Sequence, residues 1–452
     1  MKTVIALSIL ISCAHWLNAQ SFIELCDNQN TSGTVVDFES HNGELYATGF
    51  FQQICGQTVN YIAQWDGSTW GPGPFTLSDP GHSLRSIGGQ LYVARYEESI
   101  DSNWVFVFDG NTLNKVGEGV YLTTATNFSN LPNIYDIAEY NGQLVACGEF
   151  DRVGTASISG IMRWNGTNWE ELGGGLSGNI PNNAPIMFPH QLLVDGDALY
   201  VIGNFRNAGG VEVNGIAKWE NEQWTAMGSG FNSTVYSIGK YQGELYAGGA
   251  FTQSGDEAVN RIAKWDGTKW ISPGFGFNPL TGNDFIFVHT MREIAGTFYL
   301  LGGLKQIEYA DGTTENCGGI VAYSGTTPVE TFAGGVSGND LEAIALENDQ
   351  LLIGGGVFNN GYVGVLGTTT STNGPEDIAN VLNVYPNPVS DQLAIESETP
   401  IQSIRLMDVH GQLIERFETH RWALPFGHLP QGLYWIAVQT TEGIQIRKVI
   451  KQ

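Results

Sequence analysis

Along most of the chain, apolar and polar residues alternate with a period of two, the spacing of strands that bury one face against a neighbour. The alternation is organised into a repeat. An apolar pair followed by small residues, usually including a glycine, recurs as Leu45-Tyr46, Leu91-Tyr92, Leu144-Val145, Leu199-Tyr200, Leu245-Tyr246, Phe298-Tyr299 and Leu351-Leu352. Before the pair stand turn formers, among them Asn42-Gly43, Gly88-Gly89, Asn141-Gly142, Gly196-Asp197 and Gln242-Gly243, residues that tolerate positive φ in tight hairpins. After it, a third segment runs into a second turn, as in Ile62-Ala-Gln-Trp-Asp-Gly and Ile262-Ala-Lys-Trp-Asp-Gly, and a fourth begins near Trp70, Trp169, Trp224 and Trp270.

The copies lie 46, 53, 55, 46, 53 and 53 residues apart, the length of a four-stranded propeller blade and not of a helical repeat. The expected fold is therefore all-β: a seven-bladed β-propeller over residues 20–372, a linker at 373–379 and a small β-sandwich at 380–452. The seventh copy lacks a fourth strand, and Phe22-Ile-Glu-Leu25 has the spacing to supply it, which closes the ring and removes two sheet edges. Insertions at 121–133, 178–188, 275–284 and 308–319 all project from the face that carries the strand 4-to-1 and 2-to-3 connections. Long loops on a rigid scaffold are where binding residues usually sit, so Tyr121, Phe128, Phe188, Phe277, Asp284 and Asp311 are the ligand-face candidates.

Charge narrows the partners. The 452 residues carry 20 Lys+Arg against 46 Asp+Glu, a net −26, with no basic block. That excludes nucleic acid as a partner and disfavours an anionic membrane surface. Residues 1–19 read as a signal peptide, with Lys2 before an apolar stretch at 4–14 that is too short to span a bilayer; Leu10-Ile-Ser-Cys13 offers a second reading as a lipoprotein box. No other run approaches a transmembrane length. In an exported chain Cys26, Cys55, Cys147 and Cys317 can pair in three ways. Cys26 follows the closing strand and Cys55 lies in a 2-to-3 loop on the same face, so Cys26–Cys55 is the expected disulfide.

From residue 381 the character changes. Val384-Tyr385-Pro386-Asn387-Pro388-Val-Ser-Asp391, then Ile404-Arg-Leu-Met-Asp408-Val-His-Gly411, Leu429-Pro-Gln-Gly432-Leu-Tyr434 and Lys448-Val-Ile-Lys451 closely resemble the type A C-terminal sorting domain of the type IX secretion system of Bacteroidota-type bacteria. The resemblance implies an address read by the secretion machinery and a sorting peptidase, with the cargo released or attached to the outer-membrane surface. The repeats are similar, in glycine and tryptophan placement, to kelch and galactose-oxidase-type blades. A copper site of that kind needs a Tyr-Cys crosslink and two histidines, and Cys147 falls inside a predicted strand.

Little in the chain advertises catalysis. No nucleophile elbow, phosphate loop or His-Glu-x-x-His motif occurs. Nine residues before each apolar pair stand Val36, His82, Tyr135, His190, Tyr236, His289 and Glu342. Histidines on alternate blades are expected to lie too far apart to share a metal, and the register suits blade-to-blade packing. The tryptophans before the Asp-Gly turns are expected in the core. No cofactor or metal is expected; calcium on the turn carboxylates, or on Asp79, Asp284 and Asp311, is the one ion weighed, and no EF-hand spacing supports it. The leading reading is a monomeric, secreted or surface-attached binding protein with an unknown glycan or protein ligand. A polysaccharide-active hydrolase or lyase, whose paired acids need no motif, and a purely structural surface protein are the alternatives.

Overall fold

The computed structural model describes residues 21–24, 33–123, 131–180, 188–280, 286–325, 330–331, 341–347, 350–357, 360–367, 383–386, 389–397, 400–407, 413–418, 423–430, 432–440 and 443–451. The signal segment, Cys26, Phe128, Asp284, Asn387, Pro388, Asp408 and Gly411 lie outside them. Among the described residues the chain is built of strands, with one short 3-10 turn at Glu98–Ile100, and no helix is long and apolar enough to cross a membrane.

The repeat folds into antiparallel four-stranded meanders. Sheet I comprises Val35–His41, Glu44–Gly49, Ile62–Trp65 and Trp70–Pro72, paired in that order, and sheet II Gly81–Ile87, Gln90–Glu97, Ser102–Phe108 and Leu113–Lys115. Sheets III, IV, V and VI begin with Asn133–Tyr140, Phe188–Asp195, Val235–Tyr241 and Val288–Ile294 and continue in the same order. Sheet VII holds Leu341–Glu347, Gln350–Val357 and Asn360–Gly367, and its fourth strand is Ser21–Glu24, antiparallel with Ser21 opposite Gly367 and Glu24 opposite Gly364. The 1-to-2 hairpins turn on residues with positive φ, including Asn42-Gly43, Asn141-Gly142 and Gln242-Gly243, the backbone that matches strand twist in a two-residue loop.

First strands of successive sheets pack side by side, and that of sheet VII lies beside that of sheet I. Ala343, Ala345 and Leu352 share one apolar cluster with Val35, Phe38 and Trp70. At the outer edge the tryptophans act as pegs. Trp65–Trp70, Trp164–Trp169, Trp219–Trp224 and Trp265–Trp270 face each other across their turns with ring centroids 4.9–5.3 Å apart. The Trp169, Trp224 and Trp270 indole N–H groups donate to the carbonyls of Val116, Gly173 and Met227 on the preceding sheet. These three indoles bury area and satisfy their donors at once, whereas the buried N–H groups of Trp65, Trp70 and Trp219 meet no acceptor.

The face expected to carry irregular loops is more ordered than its sequence suggests. Val120–Tyr121, Leu176–Ser177 and Phe275–Asn278, in the 4-to-1 connections, pair with small hairpins in the following 2-to-3 connections, at Arg152–Val153, Asn207–Ala208 and Gln306–Tyr309. The C-terminal segment forms two further sheets, Asn383–Tyr385 with Gln392–Glu396 and Ala423–Pro425, and Leu413–Glu418, Ile401–Met407, Gly432–Thr440 and Gly443–Lys451. They enclose a core of Leu393, Ile404, Phe417, Phe426, Ile436 and Val449.

Candidate functional site

Every first strand carries the same irregularity. Pairing with the second strand slips by one residue between Val35 and Asp37, Gly81 and Ser83, Ile134 and Asp136, Pro189 and Gln191, Val235 and Ser237, Val288 and Thr290, and Leu341 and Ala343. The extra residue at each β-bulge is Val36, His82, Tyr135, His190, Tyr236, His289 or Glu342. A bulge inserts an unpaired residue and re-aims its side chain. Opposite most of them stands the glycine of the repeat, because a Cβ on Gly148 would come 2.0 Å from the Asn133 carbonyl oxygen, and one on Gly203 2.3 Å from that of Phe188. Sheet II exchanges the roles, with Gly81 on the first strand facing Arg95.

Five of the bulged side chains converge. His82 lies 6.2 Å from Tyr135, Tyr135 stacks on His190 at 5.8 Å, and Tyr236 stacks on His289 at 6.0 Å, all between ring centroids. Phe50, 48% exposed, edges onto His82 at 5.1 Å. Phe188 and Phe287 flank Tyr135 and Tyr236. His190 and His289, on alternate sheets and expected too far apart to share a metal, bring their ring centroids to 5.2 Å. Burial pushes the imidazoles of His82 and His190 down to about 4, and that of His289, with His190 beside it, to about 3. All three are neutral at pH 7.

Just beyond several of the bulges the same strands are clamped to a neighbouring sheet. The backbone amides of Leu84, Leu192 and Ile238 donate to Asp37, Asp136 and Gln191 at 2.8–2.9 Å, and the Thr290 hydroxyl donates to the Glu342 carbonyl. Arg85 bridges Asp37 at 2.6 Å and Asp136 at 2.7 Å. Burial opposes the Arg85 charge, but Asp136, Asp37 and Glu39 outweigh it and hold the guanidinium protonated. These bonds fix the strands that present the ring.

Glu149 closes the cluster on one side. It is 3% exposed, its Oε2 lies 3.5 Å from the Tyr135 hydroxyl, and its Oε1 has no hydrogen-bond partner. Burial raises its pKa to about 7, opposed by the Tyr135 hydrogen bond. Sequence reading missed this residue. The signal was available, since Gly148-Glu149-Phe150 aligns with Gly49-Phe50-Phe51, Gly203-Asn204-Phe205 and Gly249-Ala250-Phe251, an acid where those copies hold uncharged residues.

The expected ligand-face residues scatter. Phe188 joins the ring. Tyr121 lies under the Arg152 guanidinium at 4.8 Å, in a strand and not an irregular loop. Phe277 is 0% exposed and packs among Phe275, Ile307 and Val321; as an exposed candidate it is corrected, because the 275–278 connection becomes a sheet strand with one face inward. Asp311 accepts the Thr313 amide and hydroxyl, and Asp79 pairs with Arg95 at 2.9 Å. Turn carboxylates Asp66, Asp109 and Asp266 cap their own turns in the same way, so their oxygens are already engaged. No group of three or more His, Cys, Asp or Glu suited to a metal occurs among the described residues. Cys55 is disulfide-bonded and Cys147 and Cys317 are free.

In the C-terminal segment Tyr385 is exposed and donates to Glu396, and Pro386 follows it. The Asp391 carbonyl accepts the Phe426 amide at 2.7 Å. Tyr434 is buried against Phe426 and donates to the Pro430 carbonyl at 2.8 Å. Gly432 and Lys448 lie on the paired final strands, Lys448 opposite Trp435.

Residues 383–452 match the secretion system C-terminal sorting domain family. The match marks the chain for export by the type IX system, to the cell surface or beyond it, through contact with the secretion machinery. No curated protein matches the chain. Among solved structures, the chain is similar to the extracellular domain of a putative one-component system from B. thetaiotaomicron, at 13% identity and TM-score 0.45, covering 96% of this chain and 58% of that one. It is similar to PorZ, a surface component of the type IX secretion system of Porphyromonas gingivalis, at 14% identity and TM-score 0.42, covering 94% and 60%. A virginiamycin B lyase from Staphylococcus aureus aligns at 14% identity and TM-score 0.46, covering 77% and 98%. The chain thus spans about three fifths of the first two.

Proposed function

We propose that residues 20–372 form a closed seven-bladed β-propeller that acts as a monomeric surface binding protein, with its ligand seated over the ring of bulged aromatic side chains. In this reading residues 1–19 are removed as a signal peptide, 373–379 are a linker, and 380–452 are a sorting β-sandwich read by the secretion machinery and its peptidase. The observation that carries it is the repeated bulge: seven equivalent strands each give up a ladder position, and the five Tyr and His residues placed there meet one another. Neutral imidazoles, phenols and flanking phenylalanines offer stacking faces and hydrogen bonds without charge, chemistry suited to recognition. Closure of the ring by the N-terminal strand, and a Cys26–Cys55 bond tying that end to sheet I, keep the mouth rigid.

The test uses the mature protein recovered from culture medium or the cell surface, mixed with surface and plant polysaccharides and with surface-protein extracts. Retention of an intact partner, lost in His190→Ala and Tyr236→Ala, is expected. Retention unchanged in both variants moves the site elsewhere, and release of short fragments replaces binding by polysaccharide cleavage. Deleting 380–452 is expected to strand the rest in the periplasm; surface delivery of that truncation rejects the sorting role.

A further inference from the structure

The polar corner of the ring carries more than a generic binding surface. Glu149 is buried at the edge of the ring with one oxygen 3.5 Å from the Tyr135 hydroxyl and the other facing no donor. A buried carboxylate with one oxygen lacking any donor is costly to keep ionised, and a cation beside that oxygen offsets the cost. Burial and the Tyr135 hydroxyl are what act on its protonation, with no lysine or arginine offsetting burial. The cation–π contacts among the described residues involve Arg95, Lys115 and Arg152 over Phe106, Trp104 and Tyr121, none of them a ring member. The ring is therefore a set of electron-rich faces beside an uncompensated acid, in a chain of net charge −26.

From the open Glu149 oxygen and the stacked faces beside it, we infer that the Tyr135–Glu149 corner is a subsite for a primary ammonium group, so that the ligand is an organic amine. This rests on the mouth of the propeller being the binding site. The ammonium supplies what the corner lacks: an N–H donor for Oε1, a positive charge against the carboxylate, and a cation for the faces of Tyr135 and its neighbours. The imidazoles do not compete for that role. His82 and His190, which bracket Tyr135, titrate near pH 4, and the Tyr135 phenol is raised above its usual value by burial and by Glu149, so between pH 6 and 8 Glu149 alone changes charge at this corner.

Calorimetry of the mature full chain with cadaverine, tetramethylammonium and methyl glucoside, in buffers of different ionisation enthalpy, tests the proposal. Cadaverine is expected to bind and tetramethylammonium, which has no N–H, to bind at least tenfold more weakly. Because Glu149 titrates near 7 when free and is held ionised when paired, cadaverine binding releases about one proton at pH 6 and close to none at pH 8. Glu149→Gln, isosteric and checked for folding by thermal melting, is expected to lose at least tenfold in affinity together with the proton release; Tyr135→Phe should keep the release and lose a few-fold. Cadaverine binding unchanged in Glu149→Gln, or absent altogether, overturns the ammonium subsite. Methyl glucoside binding that His190→Ala abolishes and Glu149→Gln leaves intact overturns it while keeping the mouth as the site. Ligand binding indifferent to His190→Ala rejects the mouth itself, and the subsite with it.

Discussion

Arg85 of sheet II sets one guanidinium nitrogen 2.7 Å from Asp136 of sheet III, a carboxylate whose side chain is 3% exposed, while its other terminal nitrogen holds Asp37 of sheet I. One side chain therefore ties three consecutive sheets at the strands that carry the bulges. Removing a single partner of such a pair strands buried charge, whereas removing the set does not. Arg85→Met should cost about 3 kcal/mol, the lower end for a buried pair because Arg85 is itself partly exposed. Arg85→Met combined with Asp136→Asn, which removes the buried charge and keeps an acceptor for the Leu192 amide, should recover part of the loss in urea unfolding. Lys115→Met, which breaks an exposed pair with Glu97, should cost under about 1 kcal/mol.

The glycine opposite the bulge of sheet III is required by space. Gly148→Ala drives a Cβ to 2.0 Å from the Asn133 carbonyl oxygen, and should destabilise by about 1–3 kcal/mol through forced backbone movement. Gly71→Ala, whose Cβ would meet nothing within 4 Å, should stay within about 0.5 kcal/mol of the parent. Equal effects in thermal melts would mean that the bulge can relax away from the new methyl group.

Two opposite pH dependences should be separable. The ring histidines have folded values near 3 to 4 against 6.5 unfolded, so the unfolded chain takes up more protons and their contribution is lost as pH falls from 6.5 towards 4. His190→Gln with His289→Gln should flatten the decline of melting temperature over that window. Glu149 runs the other way: its raised value means stability present below about 4.5 and lost as pH rises through about 7. Glu149→Gln should therefore melt higher than the parent at pH 8 and match it at pH 4.

Peptide mapping of the mature protein without reduction should recover Cys55 joined to Cys26, with Cys147 and Cys317 alkylated as free thiols after unfolding. Reduction should lower stability by about 2–4 kcal/mol. A Cys55 peptide linked to any other cysteine would reject the ring-closure bond.

The repeat, its turns and the strand that pairs with sheet VII were legible in the chain because each depends on local chemistry: period-two alternation, residues that accept positive φ, and the spacing of Phe22-Ile-Glu-Leu25. The tryptophan register was legible as core for the same reason. Aligning the copies also brought Val36 through Glu342 into one column, yet not what the column does, since a bulge exists only relative to the partner strand and shows in sequence as nothing more than a glycine across from it. Phe277 was misjudged because an unpatterned connection becomes ordered when a neighbouring hairpin lends it an edge. Glu149 was overlooked because a lone acid in one copy of a repeat stands out only when the copies are aligned at that position, and its meaning depends on the burial that the fold imposes. The sequence by itself determined the strands, the repeat length and the export address, all set by neighbours along the chain; which side chains meet, and how their proton affinities move on meeting, was decided by tertiary structure, because burial and distance belong to sheets that converge from hundreds of residues apart.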